Sequence, residues 1–247
     1  MLTADQVDFQ ILGEDAGYLA VDKPAGLLVH PTRPGGPPTL WDGLCGLLGY
    51  ELATGGQVSI INRLDRETSG VVVVAKTREA ARAAGLDMEA RRVVKKYEAL
   101  VFGWPDWEEL VVEAPIIRRG EIGDTAVHLE RCVHPKGAYA QTSFRVLKRG
   151  EGHRGRWTRI LAKPLTGRTH QIRVHLAHCG FPVIGDKIYA KGSSFYLEFI
   201  REGWTGGSDA ALWLPRHALH CSEMKLLGRT WSAPLARDLK DFEDSLA

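Results

Sequence analysis

The chain has 247 residues, 44% of them hydrophobic and 25% charged, with a formal net charge of +2. That length holds one large domain or two small ones, and the composition excludes a disordered or fibrous chain. No stretch approaches the roughly 20 apolar residues of a membrane span, the start MLTADQVDFQILGED lacks a signal-peptide pattern, and four scattered cysteines without a C-x-x-C pair fit a reduced, cytoplasmic chain better than a disulfide framework.

In chain order, Tyr18–Val21 and Leu27–Val29 read as two short strands. Between them, Asp22 to Gly26 suits a type I turn, with Pro24 at the second position and Gly26 at the fourth. Pro31 to Pro38 is a Pro/Gly-rich loop, a helix runs from Thr39 to about Leu48, and Gly49 to Gln57 is another loop. Ile60 to Lys76, IINRLDRETSGVVVVAK, places a polar knot from Asn62 to Gly70 between an apolar lead-in and four valines. The valines read as a buried strand, so Asp65 lies on a connection beside it, flanked by Arg63 and Arg66. A carboxylate beside a core strand is costly unless it is paired.

Thr77 to Arg92 is helical, with Thr77 as N-cap and Glu79 in the first turn. Gly85 weakens its middle enough for two short helices. Val93 to Gly103 alternates as a strand that puts Tyr97, Ala99 and Val101 on one face, and on that pattern alone Tyr97 is a core residue. From Glu108 to Leu147, VVEAPII, TAVHLE and QTSFRVL look β-like, Gly150 to Arg156 is a basic turn, and Trp157 to Pro164 returns as a strand.

Phe144 to Arg173 carries nine basic residues (Arg145, Lys148, Arg149, Arg154, Arg156, Arg159, Lys163, Arg168, Arg173) and one acid, Glu151. On a nearly neutral chain this is the footprint of a polyanion partner or a solvated basic loop. Thr169 to Cys179 reads as a helix with Ile172, Leu176 and Cys179 on one face and a stop at Gly180. Arg168 stands at its entry. Arg173 lies inside it beside the apolar stripe, where a guanidinium needs an anion unless it reaches solvent.

Together these segments resemble the RluA-type family of RNA pseudouridine synthases. The match is carried by VDKPAGLLVHP, by R-L-D-x-x-T-S-G at Arg63–Gly70, and by K-x-Y-x-A-x-V-x-G at Lys95–Gly103. It continues through G-R-x-H-Q-I-R-x-H-L with G-x-P-x-x-G-D-x-x-Y at Gly167–Tyr189, and through RHALHCSEMKL and WSAPL near the end. The resemblance covers about residues 10–235. It implies one catalytic domain over 1–247, with no N-terminal S4-type module. The implied fold is α/β (α+β), a mixed, mostly antiparallel central sheet in two halves around a cleft with Asp65 on its floor.

By the same resemblance Asp65 is the catalytic carboxylate, Tyr97 lies against the target base, and Arg173 pairs with Asp65. Arg63 fills the gap left by a flipped base, Arg168 contacts phosphates, and Asn62, Lys95 and His170 complete the RNA-binding set. The family usually has His where Asn62 stands, which leaves the role of position 62 open. Lys23 and His30 show no chemistry of their own and read as braces for the loops. The insert from Ser193 to Leu212 has no assigned role.

The implied reaction breaks the C1′–N1 bond of a uridine, rotates the freed uracil and rejoins it through C5, so no metal or redox cofactor is required. The carboxylate attacks C1′, promotes loss of the C2′ proton or stabilises positive charge; the sequence does not choose among these. The expected partner is a stem-loop of rRNA or tRNA, the expected oligomeric state a monomer and the expected compartment the cytoplasm. Three rival readings stand beside this one. A metal site could use His170, His175, His178 and Cys179 or His217, His220 and Cys221, but three histidines at i, i+5 and i+8 do not share a helix face. A glycosidase would need an acid partner for Asp65, and Glu67 and Asp186 are poor candidates. An inactive RNA-binding module of the same fold is suggested by Asn62 alone.

Overall fold

The computed structural model describes residues 7–246. β1 (Gln10–Glu14) and β2 (Tyr18–Lys23) open the chain. The strand expected at Leu27–Val29 does not form. The carbonyls of Leu28 and Val29 instead accept from the Leu40 and Trp41 amides, which the first turn of the next helix leaves unsatisfied. The turn is centred on Ala25 and Gly26, so Gly26 stands third in it rather than fourth, and its φ of 88° is the left-handed value a type II turn needs there. Helix α1 (Leu40–Leu47) starts at a reciprocal capping box between Thr39 and Asp42. The expected loop after it contains a short helix, α2 (Gly49–Ala53), because the helix-forming Tyr-Glu-Leu-Ala run makes one more turn before Thr54 closes it.

β3 (Ser59–Ile60) and β4 (Ser69–Ala75) bracket Asp65, and every residue of β4 is buried, as the valine run predicts. α3 (Arg78–Glu89) is one continuous helix capped by Thr77, with no break at Gly85. β5 (Val94–Phe102), β6 (Glu109–Glu113) and β7 (Ile116–Arg118) follow. TAVHLE is not a strand: the Thr125 hydroxyl binds the Val127 amide and the Glu130 carboxylate, a local pattern that competes with ladder formation. β8 (Arg131–Val133) comes directly after it. β9 (Gln141–Gly152) and β10 (Gly155–Pro164) run through the expected basic turn and reduce it to a two-residue hairpin loop at His153–Arg154. α4 (Gln171–His178), α5 (Ser193–Glu202), α6 (Gly206–Leu212), β11 (Leu219–Leu226), β12 (Arg229–Ser232) and α7 (Arg237–Ser245) complete the chain.

The chain divides into two compact units. The first holds residues up to 95 together with 220–236. In it β1, β2 and β4 pair antiparallel in that order. The second edge of β4 is shared: antiparallel β3 lies opposite Val74 and Ala75, and parallel β11 lies opposite Ser69 and Gly70. β12 pairs antiparallel with β11. Leu19, Ala20, Val21 and Val71 to Val74 have no exposed surface, so this sheet is covered on both faces.

The second unit holds residues 96–219 and α7. Its strands run in the order β5–β10–β9–β6, all antiparallel, with β7 and β8 as a separate small pair. α4 packs on β8, β9 and β10, and Phe144, Trp157, Ile160 and Leu176 are buried.

Candidate active site

The connection bearing Asp65 is fastened on two sides. After β3 ends, the Ile61 amide donates to the Val73 carbonyl at 2.8 Å. The Asn62 side chain then takes over: Nδ2 donates to the Val71 carbonyl and Oδ1 accepts from the Val73 amide, both at 2.9 Å. A primary amide copies the donor and acceptor of a peptide group, so Asn62 continues the pairing of β4 between β3 and β11 while the main chain turns away. Asn62 is 5% exposed, and its amide braces β4. One N–H of Nδ2 and one lone pair of Oδ1 are thus engaged by the strand.

On the other side, Lys23 is fully buried and its ammonium donates to three carbonyls: Pro24 at 2.8 Å, Leu27 at 2.8 Å and Arg66 at 3.1 Å. Gly26 and Arg66 close the contact, the Gly26 amide donating to the Arg66 carbonyl and Arg66 Nε to the Gly26 carbonyl. The Thr68 amide donates to the Asp65 carbonyl at 3.1 Å, tightening the turn over Arg66 and Glu67. Asp65 itself is half-buried and Arg63 exposed. Burial, and then the nearby Arg63 charge, hold the His30 pKa below the ordinary imidazole value.

The Ser-Gly pair that ends the motif serves the approach of β11. The Ala233 carbonyl accepts from His220 Nε2, which makes Nδ1 the acceptor of the Ser69 hydroxyl at 2.9 Å. Gly70 has φ 111°, and a Cβ there would run into the Cys221 backbone. Lys95 is 9% exposed, and among the described residues no hydrogen bond or ion pair engages its ammonium. Burial pushes its pKa below the ordinary lysine value, opposed by the Cys221 thiol.

In the second unit, Tyr97 is buried on β5 opposite Ala162. Arg173, 5% exposed on α4, donates from Nε to Asp186 Oδ2 at 2.6 Å and from Nη2 to Oδ1 at 2.9 Å. The anion that the sequence demands for this guanidinium is therefore supplied at least by Asp186. The Tyr189 ring lies 5.1 Å from the guanidinium, and its hydroxyl meets His170 Nδ1 at 2.8 Å. His170 takes φ 58° at the start of α4. Arg168 Nε donates to the Tyr139 carbonyl, and Gln171 ties the Arg168 amide to Thr166 and Thr142.

His217 is buried, and burial followed by the charges of Arg173, Arg216, His170 and Lys187 pushes its pKa well below 6.5. His175 is also buried; Nδ1 meets Thr142 Oγ1 and Nε2 the Ala114 carbonyl. Among the described residues, no group of three or more His, Cys, Asp or Glu side chains is arranged to hold a metal ion.

The basic stripe is largely neutralised within this unit. Lys148 and Arg159 hold Glu243, and Arg149, Arg154, Arg156 and Arg173 pair with Glu108, Asp209, Glu151 and Asp186. Arg145, Lys163 and Arg168 have no ion pair among the described residues. Sequence reasoning passed over Asp186 as a partner of Arg173, the burial of His217 and the acids that cancel the stripe. Their only advance signal was a basic residue in a run that periodicity marks as buried.

Taken together, the strands define a mixed α/β fold with mostly antiparallel pairing, the fold of the pseudouridine synthases. The chain belongs to the RNA pseudouridylate synthase family, whose profile matches residues 17–178. The enzyme class of that family is an RNA pseudouridine synthase, an isomerase. Two similar proteins are each named ribosomal large subunit pseudouridine synthase D. That of Pseudomonas aeruginosa is 34% identical over 95% of this chain and 71% of its own length, and that of Nitrosomonas europaea 36% identical over 96% and 64%. An uncharacterized RNA pseudouridine synthase of Chloroflexus aurantiacus is 38% identical over 89% of this chain and 63% of its own. The chain thus spans under two thirds of the length of two of these three relatives. Among solved structures, human RNA pseudouridylate synthase domain containing 4 aligns with a TM-score of 0.74 at 25% identity, covering 96% of this chain and 92% of that one. The human domain-containing 1 protein shares the fold, with a TM-score of 0.65 at 23% identity over 97% and 95% of the two chains.

Proposed function

We propose that this chain converts uridine to pseudouridine in structured RNA, with large-subunit rRNA as the first substrate to test and Asp65 as the catalytic carboxylate. The observation that carries this reading is the double fastening of the Asp65 connection. Asn62 fixes it to β4, and Lys23 fixes it to the turn after β2. A half-buried carboxylate on a connection so firmly held is preorganised for chemistry at one point. The names of the Pseudomonas and Nitrosomonas relatives support rRNA over tRNA.

In this reading the target uridine leaves its stack, at a cost of a few kcal/mol that is least in loops. Asp65 acts at the ribose or the base as the C1′–N1 bond breaks. Tyr97 forms a wall for the freed uracil, and Arg173 supplies a fixed positive charge. The new C1′–C5 bond replaces the old one, the C5 proton is lost and N1 gains one, so the reaction balances as an isomerisation. Exposed Arg63 and Arg168 contact the RNA, with Lys95 on a phosphate, where an anion would satisfy its buried ammonium. The protein works as a monomer in the cytoplasm. Asn62 offers no support for the inactive-module reading, because its amide has a structural duty.

The test is incubation of wild type and Asp65→Ala with large-subunit rRNA and tRNA transcripts, followed by chemical mapping of pseudouridine. Wild type is expected to modify rRNA, and a folded Asp65→Ala is expected to be inactive. Equal activity of the two would remove Asp65 from the mechanism. No product with any RNA would overturn the activity.

A further inference from the structure

We infer that Asp186 is a positioning residue of the isomerisation, acting through Arg173; this rests on the role proposed above for that arginine. Asp186 has no exposed surface, and its carboxylate grips one edge of the guanidinium through Nε and Nη2. Oδ1 also accepts from the amides of Ile188 at 3.0 Å and Tyr189 at 3.1 Å, so the carboxylate is itself fixed by the backbone of its own turn.

The same turn supplies the Tyr189 ring against the guanidinium. The Tyr189 hydroxyl is held in place by His170 and by the Arg131 amide. Gly185, φ 79°, lets the turn lie against the Arg216 backbone, where a Cβ would collide. Residues 185–189 therefore form a receptor for one guanidinium, with a carboxylate on one edge and an aromatic ring nearby.

Such a receptor is a costly way to hold a helix. Desolvating both charges opposes their attraction, and an apolar pair of similar volume generally stabilises a fold as well or better. What the arrangement gives instead is orientation. A guanidinium has five N–H groups in a rigid fork, and a carboxylate on the Nε–Nη2 edge fixes the direction of the Nη1 end. A lysine ammonium has no such fork.

The test measures single-turnover rate and RNA affinity for wild type, Asp186→Asn, Arg173→Met and the double variant, with folding checked by circular dichroism. Asp186→Asn keeps the size of the side chain but puts an amide where the fork needs an anion. Its rate is expected to fall by roughly 10- to 100-fold, with RNA affinity within about twofold. In the Arg173→Met background, Asp186→Asn is expected to cause no further fall in rate, because its effect runs through the arginine. A wild-type rate for Asp186→Asn, or an effect that multiplies with that of Arg173→Met, would overturn the inference and leave the proposed activity standing. An inactive wild type would remove both. Should Asp186→Asn not fold, Tyr189→Leu carries the test: a lower rate at unchanged affinity is expected, and an unchanged rate overturns it.

Discussion

The Lys23 ammonium donates to the carbonyl oxygen of Arg66 at 3.1 Å, joining a fully buried lysine to the residue directly after Asp65. Lys23→Met keeps the aliphatic stem but leaves the carbonyls of Pro24, Leu27 and Arg66 without that donor. The expected cost is about 2–5 kcal/mol, read as a drop in melting temperature of about 2–4 °C per kcal/mol. Activity at a temperature where the variant is folded should fall further than stability does, because the Asp65 connection is loosened. Wild-type activity in a destabilised Lys23→Met would show that this clamp serves the fold alone.

Asn62→Leu tests the side-chain strand pairing. It removes the hydrogen-bond partners of the Val71 carbonyl and the Val73 amide while keeping a similar volume. The expected destabilisation is about 2–4 kcal/mol in urea unfolding, with faster amide exchange at Val73 than at Val72, whose neighbour across the sheet is Val21 of β2. Uniform exchange along β4 would contradict this.

Buried histidines make stability depend on pH. Burial and the surrounding cations hold the His217 pKa well below 6.5, and burial lowers that of His175, the Ala114 hydrogen bond partly opposing and the His178 charge adding to it. The unfolded chain therefore binds more protons than the folded one below pH 6.5, and stability falls as pH drops from there toward the folded pKa values. For His217 the slope approaches about 1.4 kcal/mol per pH unit. Urea unfolding at pH 7.0 and 5.5 should show the decrease, and His217→Gln should reduce it. An identical pH dependence in that variant would remove His217 as a source.

The distribution of ion pairs predicts which arginines meet RNA. Arg145→Ala, Lys163→Ala and Arg168→Ala should each weaken binding and flatten the plot of log affinity against log salt, by about 0.7–0.9 for each phosphate no longer neutralised. Arg154→Ala and Arg156→Ala, whose guanidiniums hold Asp209 and Glu151, should leave that slope unchanged. The reverse ranking would place the RNA-facing charge elsewhere.

What could be read from the sequence was local. The helix after Thr39, the Thr77 cap, the valine strand and the Gly180 stop each depend on a few adjacent residues, and each formed. The misses have distant causes. Leu27–Val29 looks like a strand until α1 claims its carbonyls. TAVHLE looks like a strand until Thr125 bonds locally. The Phe144–Arg173 stripe looks like free charge until Glu108, Asp209 and Glu243 arrive from 41 to 95 residues away. The motif residues were recognisable as a set, but the arrangement of Asn62, Lys23 and Asp186 behind them was not, since hydrogen-bond partners leave no periodic trace.

The parallel pairing of β4 with β11 also sets an order of events during synthesis. Ser69 and His220 are 151 positions apart, so on a ribosome the strand that follows Asp65 emerges long before its last neighbour. Until then the Ser69–Gly70 end of β4 presents an unmatched edge, and closing so long a loop is slow. A nascent chain stalled before residue 220 should lack the Ser69–His220 hydrogen bond and the parallel neighbour at that end of β4. The first unit of this fold is therefore among the last parts of the chain to be finished, although its sequence comes first.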